Sequence, residues 1–172
     1  MGFDTRAFRD ALGCFPTGVA VVTAMNGRSP RRARSTAGNP AIMGITVNSF
    51  ASVSLDPPLV LWCVDRRSDR FETFTSANGF TVSVLDASHR GVSARLARPG
   101  AHHLDGIPMV PTELGPPALG DALAVFECMR EEVYSGGDHV ILVGRVQRFS
   151  WRAAGAPLVF YRGRYGTVSE PG

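Results

Sequence analysis

At 172 residues the chain is long enough for one domain with a full core and too short for two comfortable ones. Hydrophobic residues at 44% and charged residues at 19% exclude a disordered or fibrous chain, and a formal charge of +3 is only mildly basic. No run of about 18 apolar residues occurs, and Met1–Arg6 lacks the basic-then-apolar layout of a leader, so a cytoplasmic protein without membrane association is expected.

Asp4 or Thr5 is placed to cap a first, amphipathic helix in which Phe8, Leu12 and Phe15 recur at four and three residues, and Phe15-Pro16-Thr17-Gly18 ends it. Val19 to Met25 is a β-branched run that reads as a buried strand closed by Asn26-Gly27, a tight-turn dipeptide. Residues 28–43, rich in Arg, Ser, Pro and Gly, read as an inserted mobile loop within a single domain spanning 1–172. Their arginines lack the interleaved aromatic residues of a nucleic-acid patch, so no nucleic-acid partner is expected.

Gly44 to Pro58 alternates like a strand through Ile45, Val47, Phe50, Val53 and Leu55, and also carries Thr46, Asn48, Ser49, Ser52 and Ser54. The alternation breaks near Phe50 and Ala51, which predicts a strand followed by a loop. On composition alone an ordinary Ser/Thr-rich edge strand is favoured over a ligand cradle. Leu59 to Val64 is continuously apolar after Pro57-Pro58, as suits a central strand buried on both faces.

Ser68 is expected to cap a short helix with Phe71 and Phe74 on one face, and Ser88 another with Val92 and Leu96 inward. A strand over Phe80 to Leu85 separates them. His102 to Pro117, with four prolines, reads as an irregular surface connection. Long strands follow at Ala122 to Tyr134 and Val140 to Trp151, with a short one at Leu158 to Tyr161. About six strands and three modest helices do not match the alternation of a parallel sheet; an antiparallel barrel with peripheral helices fits better.

The cysteines Cys14, Cys63 and Cys128 form no CxxC pair and read as buried free thiols. Adjacent His102-His103 has no third ligand nearby, so no metal site is expected, and His89 reads as solvent-facing. No GxGxxG, Walker or Gly-x-Ser-x-Gly motif is present. His139, after Gly136-Gly137-Asp138 and before an apolar strand, either meets a ligand or satisfies turn backbone with Asp138; spacing does not separate the two. Tyr161-Arg162-Gly163-Arg164-Tyr165-Gly166 offers cations and rings for a phosphate and a planar group, or simply a blunted basic strand edge.

Taken in order, Phe8-Arg9-Asp10-Ala11-Leu12 through Phe15-Pro16-Thr17-Gly18 to Thr23, then Gly44 to Val60, Phe80 to Leu85, and Gly137-Asp138-His139 to Val146 closely resemble the flavin reductase family. These are the reductase components of two-component flavin-dependent monooxygenases. The resemblance implies a mainly β, FMN-binding split β-barrel with a few peripheral helices, forming a homodimer. It implies reduction of FMN or FAD by hydride transfer from NADH or NADPH to flavin N5, with the reduced flavin supplied to a separate oxygenase component. A flavin-binding split barrel with little turnover is the alternative.

Carried over by position, Thr46, Val47, Asn48 and Ser49 resemble flavin contacts continued by Ser52, Val53 and Ser54. By the same resemblance Cys63, Asp65 and Ser68 are expected to approach the ribityl-phosphate part, His139 matches the catalytic Gly-Asp-His position near flavin and nicotinamide, and Tyr165 sits in the closing aromatic segment that approaches that same region. The insert between Gly27 and Gly44 is longer than the hairpin usual in the family.

Overall fold

The computed structural model describes residues 2–25 and 42–168. The Asn26-Gly27 turn and most of the expected insert lie outside the described residues. Helix α1 (Thr5–Leu12) starts at Asp4, whose carboxylate accepts from the N–H groups of Arg6 and Ala7 at 2.9 and 3.0 Å, satisfying donors that have no partner inside the helix. After β1 (Thr17–Gly18) come β2 (Ala20–Met25), β3 (Ile42–Val47), β4 (Ala51–Leu55) and β5 (Pro58–Asp65). Helix α2 (Phe71–Ser76), β6 (Gly79–Val84), a 3-10 turn and α3 (Arg90–Leu96) follow. The chain closes with β7 (Met109–Val110), β8 (Ala118–Leu119), β9 (Ala124–Gly136), β10 (His139–Trp151), β11 (Val159–Tyr161) and β12 (Arg164–Gly166). Ile42 and Met43, assigned to the insert by sequence, are already strand.

Seven strands make one antiparallel sheet in the order β3-β2-β6-β9-β10-β5-β4. Its two edge strands, β3 and β4, are consecutive in the chain and separated only by Asn48–Phe50. Three residues cannot bridge the width of an open seven-stranded sheet, so the sheet curls until its edges face each other across a gap. That gap is the split of the barrel.

The barrel interior is filled from alternate positions of its strands. Trp62 on β5 meets Phe74 and Phe80 edge-on at 5.0 and 5.7 Å, among Val22, Val60, Val82, Cys128 and Leu142. A second cluster, Val19, Val21, Leu85, Leu96, Ile107, Leu119 and Leu158, lies outside the sheet. Strand β2, which touches both clusters, and β6, in which Phe80, Thr81, Val82 and Ser83 are all buried, each form a central strand buried on both faces.

Strand β5, expected to be such a strand, instead alternates between buried Val60, Trp62 and Val64 and half-buried neighbours. Its outer side faces a cleft rather than a layer. Residues 102–117 are no mere surface crossing either. The carbonyls of Pro116 and Pro117 accept from the buried hydroxyls of Thr81 and Thr23, both at 2.6 Å, so this strap satisfies polar groups on the outer face of β2 and β6.

Other local expectations change for identifiable reasons. The apolar face of the amphipathic α1 is left uncovered by the described residues, with Phe8, Leu12 and Phe15 all exposed. Ser88 is not a cap: Asp86 caps the 3-10 turn by accepting from the backbone N–H of Ser88, and His89, expected to face solvent, is half-buried and accepts from the Asp86 N–H to complete a capping box. Ser68 accepts from Arg70 N–H one turn before α2, whose cap residue is Arg70. Of the three free thiols Cys128 is buried, Cys63 is half-buried and Cys14 is exposed.

Candidate active site at the barrel split

Strand β4 pairs with β5 only as far as Ala51 opposite Leu61, so beyond Leu61 no strand among the described residues lies along the outer edge of β5. Ser49 takes over. Its hydroxyl accepts from the Cys63 N–H at 2.9 Å and pegs the chain at the split to β5. On the other side of β5, Cys63 pairs with Ile141 and Asp65 with His139, which brings the first residue of β10 to the same end of the barrel.

A cleft of about 640 Å³ opens there. Thr46, Val47, Asn48 and Ser49 form one wall, Cys63, Val64 and Asp65 another, and His139, the 67–70 turn and Ala97 with Pro99 complete it. A second cleft of about 790 Å³ between α1 and the Arg162–Gly163 turn touches the first only at Asn48 and gathers none of the other polar groups singled out at the split.

Charges in the split cleft are paired. The Asp65 carboxylate accepts from the Arg67 backbone N–H at 2.8 Å, its Nε at 3.2 Å and its Nη2 at 2.8 Å. These bonds from Arg67 hold the Asp65 carboxyl at about 2, below its ordinary 3.8. A depressed carboxyl adds stability above the unfolded value, and that contribution is lost as pH falls through the folded one. A ¹³C carboxyl titration is expected to place the Asp65 midpoint near 2; a midpoint near 3.8 would mean that Arg67 does not hold it.

The His139 Nδ1 lies 2.8 Å from Asp138 Oδ1, which keeps Asp138 ionised and leaves Nε2 for the cleft. Burial pushes the Cys63 thiol up, partly opposed by the Ser49 hydroxyl, so Cys63 sits in the wall as a neutral thiol.

The chain matches the model of the flavin reductase like domain over residues 12–169. It is 43% identical over 98% of its length to an FMN reductase (NADH), SmoA, of Agrobacterium fabrum, covering 89% of that protein. The chain belongs to the flavin reductase family.

A reductase subunit of a flavin-dependent monooxygenase, HsaB of Mycobacterium tuberculosis, is 36% identical over 98% of the chain and 84% of its own length. Among solved structures, the NADH:FAD oxidoreductase SgcE6 of Streptomyces globisporus, in complex with NAD and FAD fragments, superposes with a TM-score of 0.85. That match has 33% identity and covers 97% of this chain and 94% of the other. The split-barrel fold expected from the resemblance is the fold of this family member.

For a flavin reductase the cleft has a suitable donor set. Asn48 is exposed at the split, Ser49 and Ser68 offer hydroxyls, and the largely exposed Arg67 guanidinium stands at the end near Ser68, where an anionic group gains a charge-assisted bond. The Thr46 hydroxyl is already committed, donating to the Ser93 carbonyl at 2.9 Å, so toward a ligand it retains only acceptor capacity.

Of the residues singled out by sequence, Thr46, Val47, Asn48, Ser49, Cys63, Asp65, Ser68 and His139 line this cleft. Ser52, Val53 and Ser54 do not. They lie on β4, past the split, paired with β5 around a bulge between Ser52 and Ser54. Tyr165 lies behind the wall, its hydroxyl 2.8 Å from Ser93 Oγ. Arg67, Asp69 and Arg70 also line the cleft, and their signal in the sequence is the dense charge run directly after an apolar strand. Ala97 and Pro99 line it too and carry no such signal.

Proposed function

We propose that this protein is an NAD(P)H:flavin oxidoreductase that reduces FMN or FAD and supplies the reduced flavin to a separate monooxygenase component. The observation that carries the reading is the convergence of Asn48, Ser49, Cys63, Ser68 and His139, from four separate segments, on one cleft at the barrel split.

A bound flavin would supply the electron-accepting ring for a hydride from the nicotinamide, and so the chain needs no covalent nucleophile of its own. Its own residues bind and orient. Asn48 and Ser49 present an amide and a hydroxyl along one side, and Ser68 with Arg67 meets phosphate at the far end. His139, held through Nδ1, offers Nε2 to orient a carbonyl or phosphate of the nicotinamide dinucleotide.

Two of the relatives named above, SmoA and SgcE6, act with NADH, one on FMN and one on FAD, which favours NADH as donor here. The open apolar face of α1, with Phe3, Phe8, Leu12 and Phe15 exposed, supports a homodimer. A cytoplasmic location agrees with an oxygenase partner fed by diffusible flavin.

Mixing the purified protein with NADH and excess FMN or FAD tests the reading. A reductase oxidises many equivalents of NADH per subunit. A stoichiometric end-point of one equivalent or fewer would make the protein a flavin binder instead.

A further inference from the structure

Tyr165 belongs to the Tyr-Arg-Gly-Arg-Tyr-Gly segment, yet it does not line the split cleft. What it does touch is Ser93, the central residue of α3, which is fully buried. Ser93 in turn accepts the Thr46 hydroxyl on its backbone carbonyl. Three segments far apart in the chain, β12, α3 and β3, are therefore tied through one serine.

We propose that Tyr165 is a positioning residue for the flavin cleft, holding α3 and, through it, the cleft-lining end of β3. The proposal rests on the flavin reductase reading of that cleft. Helix α3 is only seven residues long and has no side-chain hydrogen bond at its N-cap, so its place depends on what grips it from outside. The Tyr165 ring is anchored on its own side by Phe160, packed edge-on at 5.5 Å, and meets α3 twice, through the Ser93 hydroxyl and through the Arg90 guanidinium 5.8 Å from its centroid.

Two cleft groups depend on that helix: Thr46, bonded to its middle, and Ala97, which follows its last residue. Without the tyrosine hydroxyl, Ser93 Oγ is buried without its partner and turns to a carbonyl one turn back in its own helix. The helix then shifts on the sheet, and Thr46 moves with it. Phenylalanine at 165 fills the same space, so the hydroxyl alone is removed.

The test uses the full chain with Tyr165→Phe, Ser93→Ala and the double variant. In ligand-free protein, hydrogen exchange across residues 42–49 is expected to quicken about fivefold in each single variant, the factor that matches the net worth of one hydrogen bond. Kd for FMN, from quenching of flavin fluorescence, rises by about the same factor. KM for NADH and kcat at saturating FMN stay within about twofold. The double variant is no worse than either single one, as expected of two halves of one bond.

Unchanged exchange over 42–49, or losses of FMN affinity that multiply in the double variant, would overturn the proposal. If Tyr165→Phe does not fold, Ser93→Ala decides by the same readouts. If the wild-type chain binds no flavin, the functional reading fails, while the exchange measurement still decides whether Tyr165 holds β3.

Discussion

His139→Ala is expected to lower kcat/KM for NADH at least about tenfold, a loss of roughly 1.4 kcal/mol of transition-state stabilisation, in a protein that remains folded. The imidazole is the first side chain of β10, partly exposed, and belongs to neither core cluster. Its removal opens no cavity, and a stability change within about 0.5 kcal/mol is expected. What disappears is the one ring nitrogen in the cleft that Asp138 has oriented by its 2.8 Å contact. The neighbouring Asp65 cannot substitute, because its carboxylate is taken up by Arg67. FMN affinity should change little, so stopped-flow flavin reduction at varied NADH separates a loss in nicotinamide binding from a loss in the hydride step. Wild-type kinetics in the variant would remove His139 from the site.

The parts of this fold that were legible in the sequence are those whose period and punctuation agree with their surroundings. The β2 run, the alternation of β6 and the Gly-rich turn between β9 and β10 each specify a strand or hairpin without reference to the rest of the chain. His139 and the Thr46–Ser49 stretch were singled out by the family resemblance, spacing alone having left both open, and they line one cleft because a strand end delivers consecutive residues to one place.

That same logic misleads at Ser52–Ser54. Between them and Ser49 the chain leaves the cleft, with Phe50 packing against Phe126 at 5.5 Å, and it re-enters the sheet on the opposite edge. Continuity of polar spacing does not reveal such a crossing. The first helix shows a different limit: the spacing of Phe8, Leu12 and Phe15 defines an apolar face but not what faces it. Arg70 shows a third. An arginine in a charged run reads as solvated, and only the tertiary approach of α3 makes it a core residue.

The largest stability loss is expected from Arg70→Met, about 3 kcal/mol by urea unfolding at neutral pH. Arg70 is 2% exposed, and burial pushes its pKa down from the ordinary arginine value, opposed by Asp69. It donates through Nη1 to the Leu96 carbonyl at 2.7 Å and through Nη2 to the Arg98 carbonyl. The Leu96 carbonyl ends α3 and that of Arg98 lies just past its cap, where the helix dipole favours a cation by up to about 2 kcal/mol in a partly buried setting. Methionine roughly fills the space but leaves both carbonyls without a donor, at about 1–3 kcal/mol each. Relief of the desolvation of a buried guanidinium offsets part of this, which keeps the net loss below the sum. Arg70→Lys should fall between wild type and methionine, because one ammonium cannot match the fork that reaches two carbonyls. Function should follow: Asp69, which accepts the Gly100 N–H at 2.8 Å, is then the remaining polar anchor of the 97–100 wall, and FMN affinity is expected to drop along with stability. A methionine variant within about 1 kcal/mol of wild type, or a lysine variant no better than methionine, would show that Arg70 fills space there and does not hold α3 to the cleft.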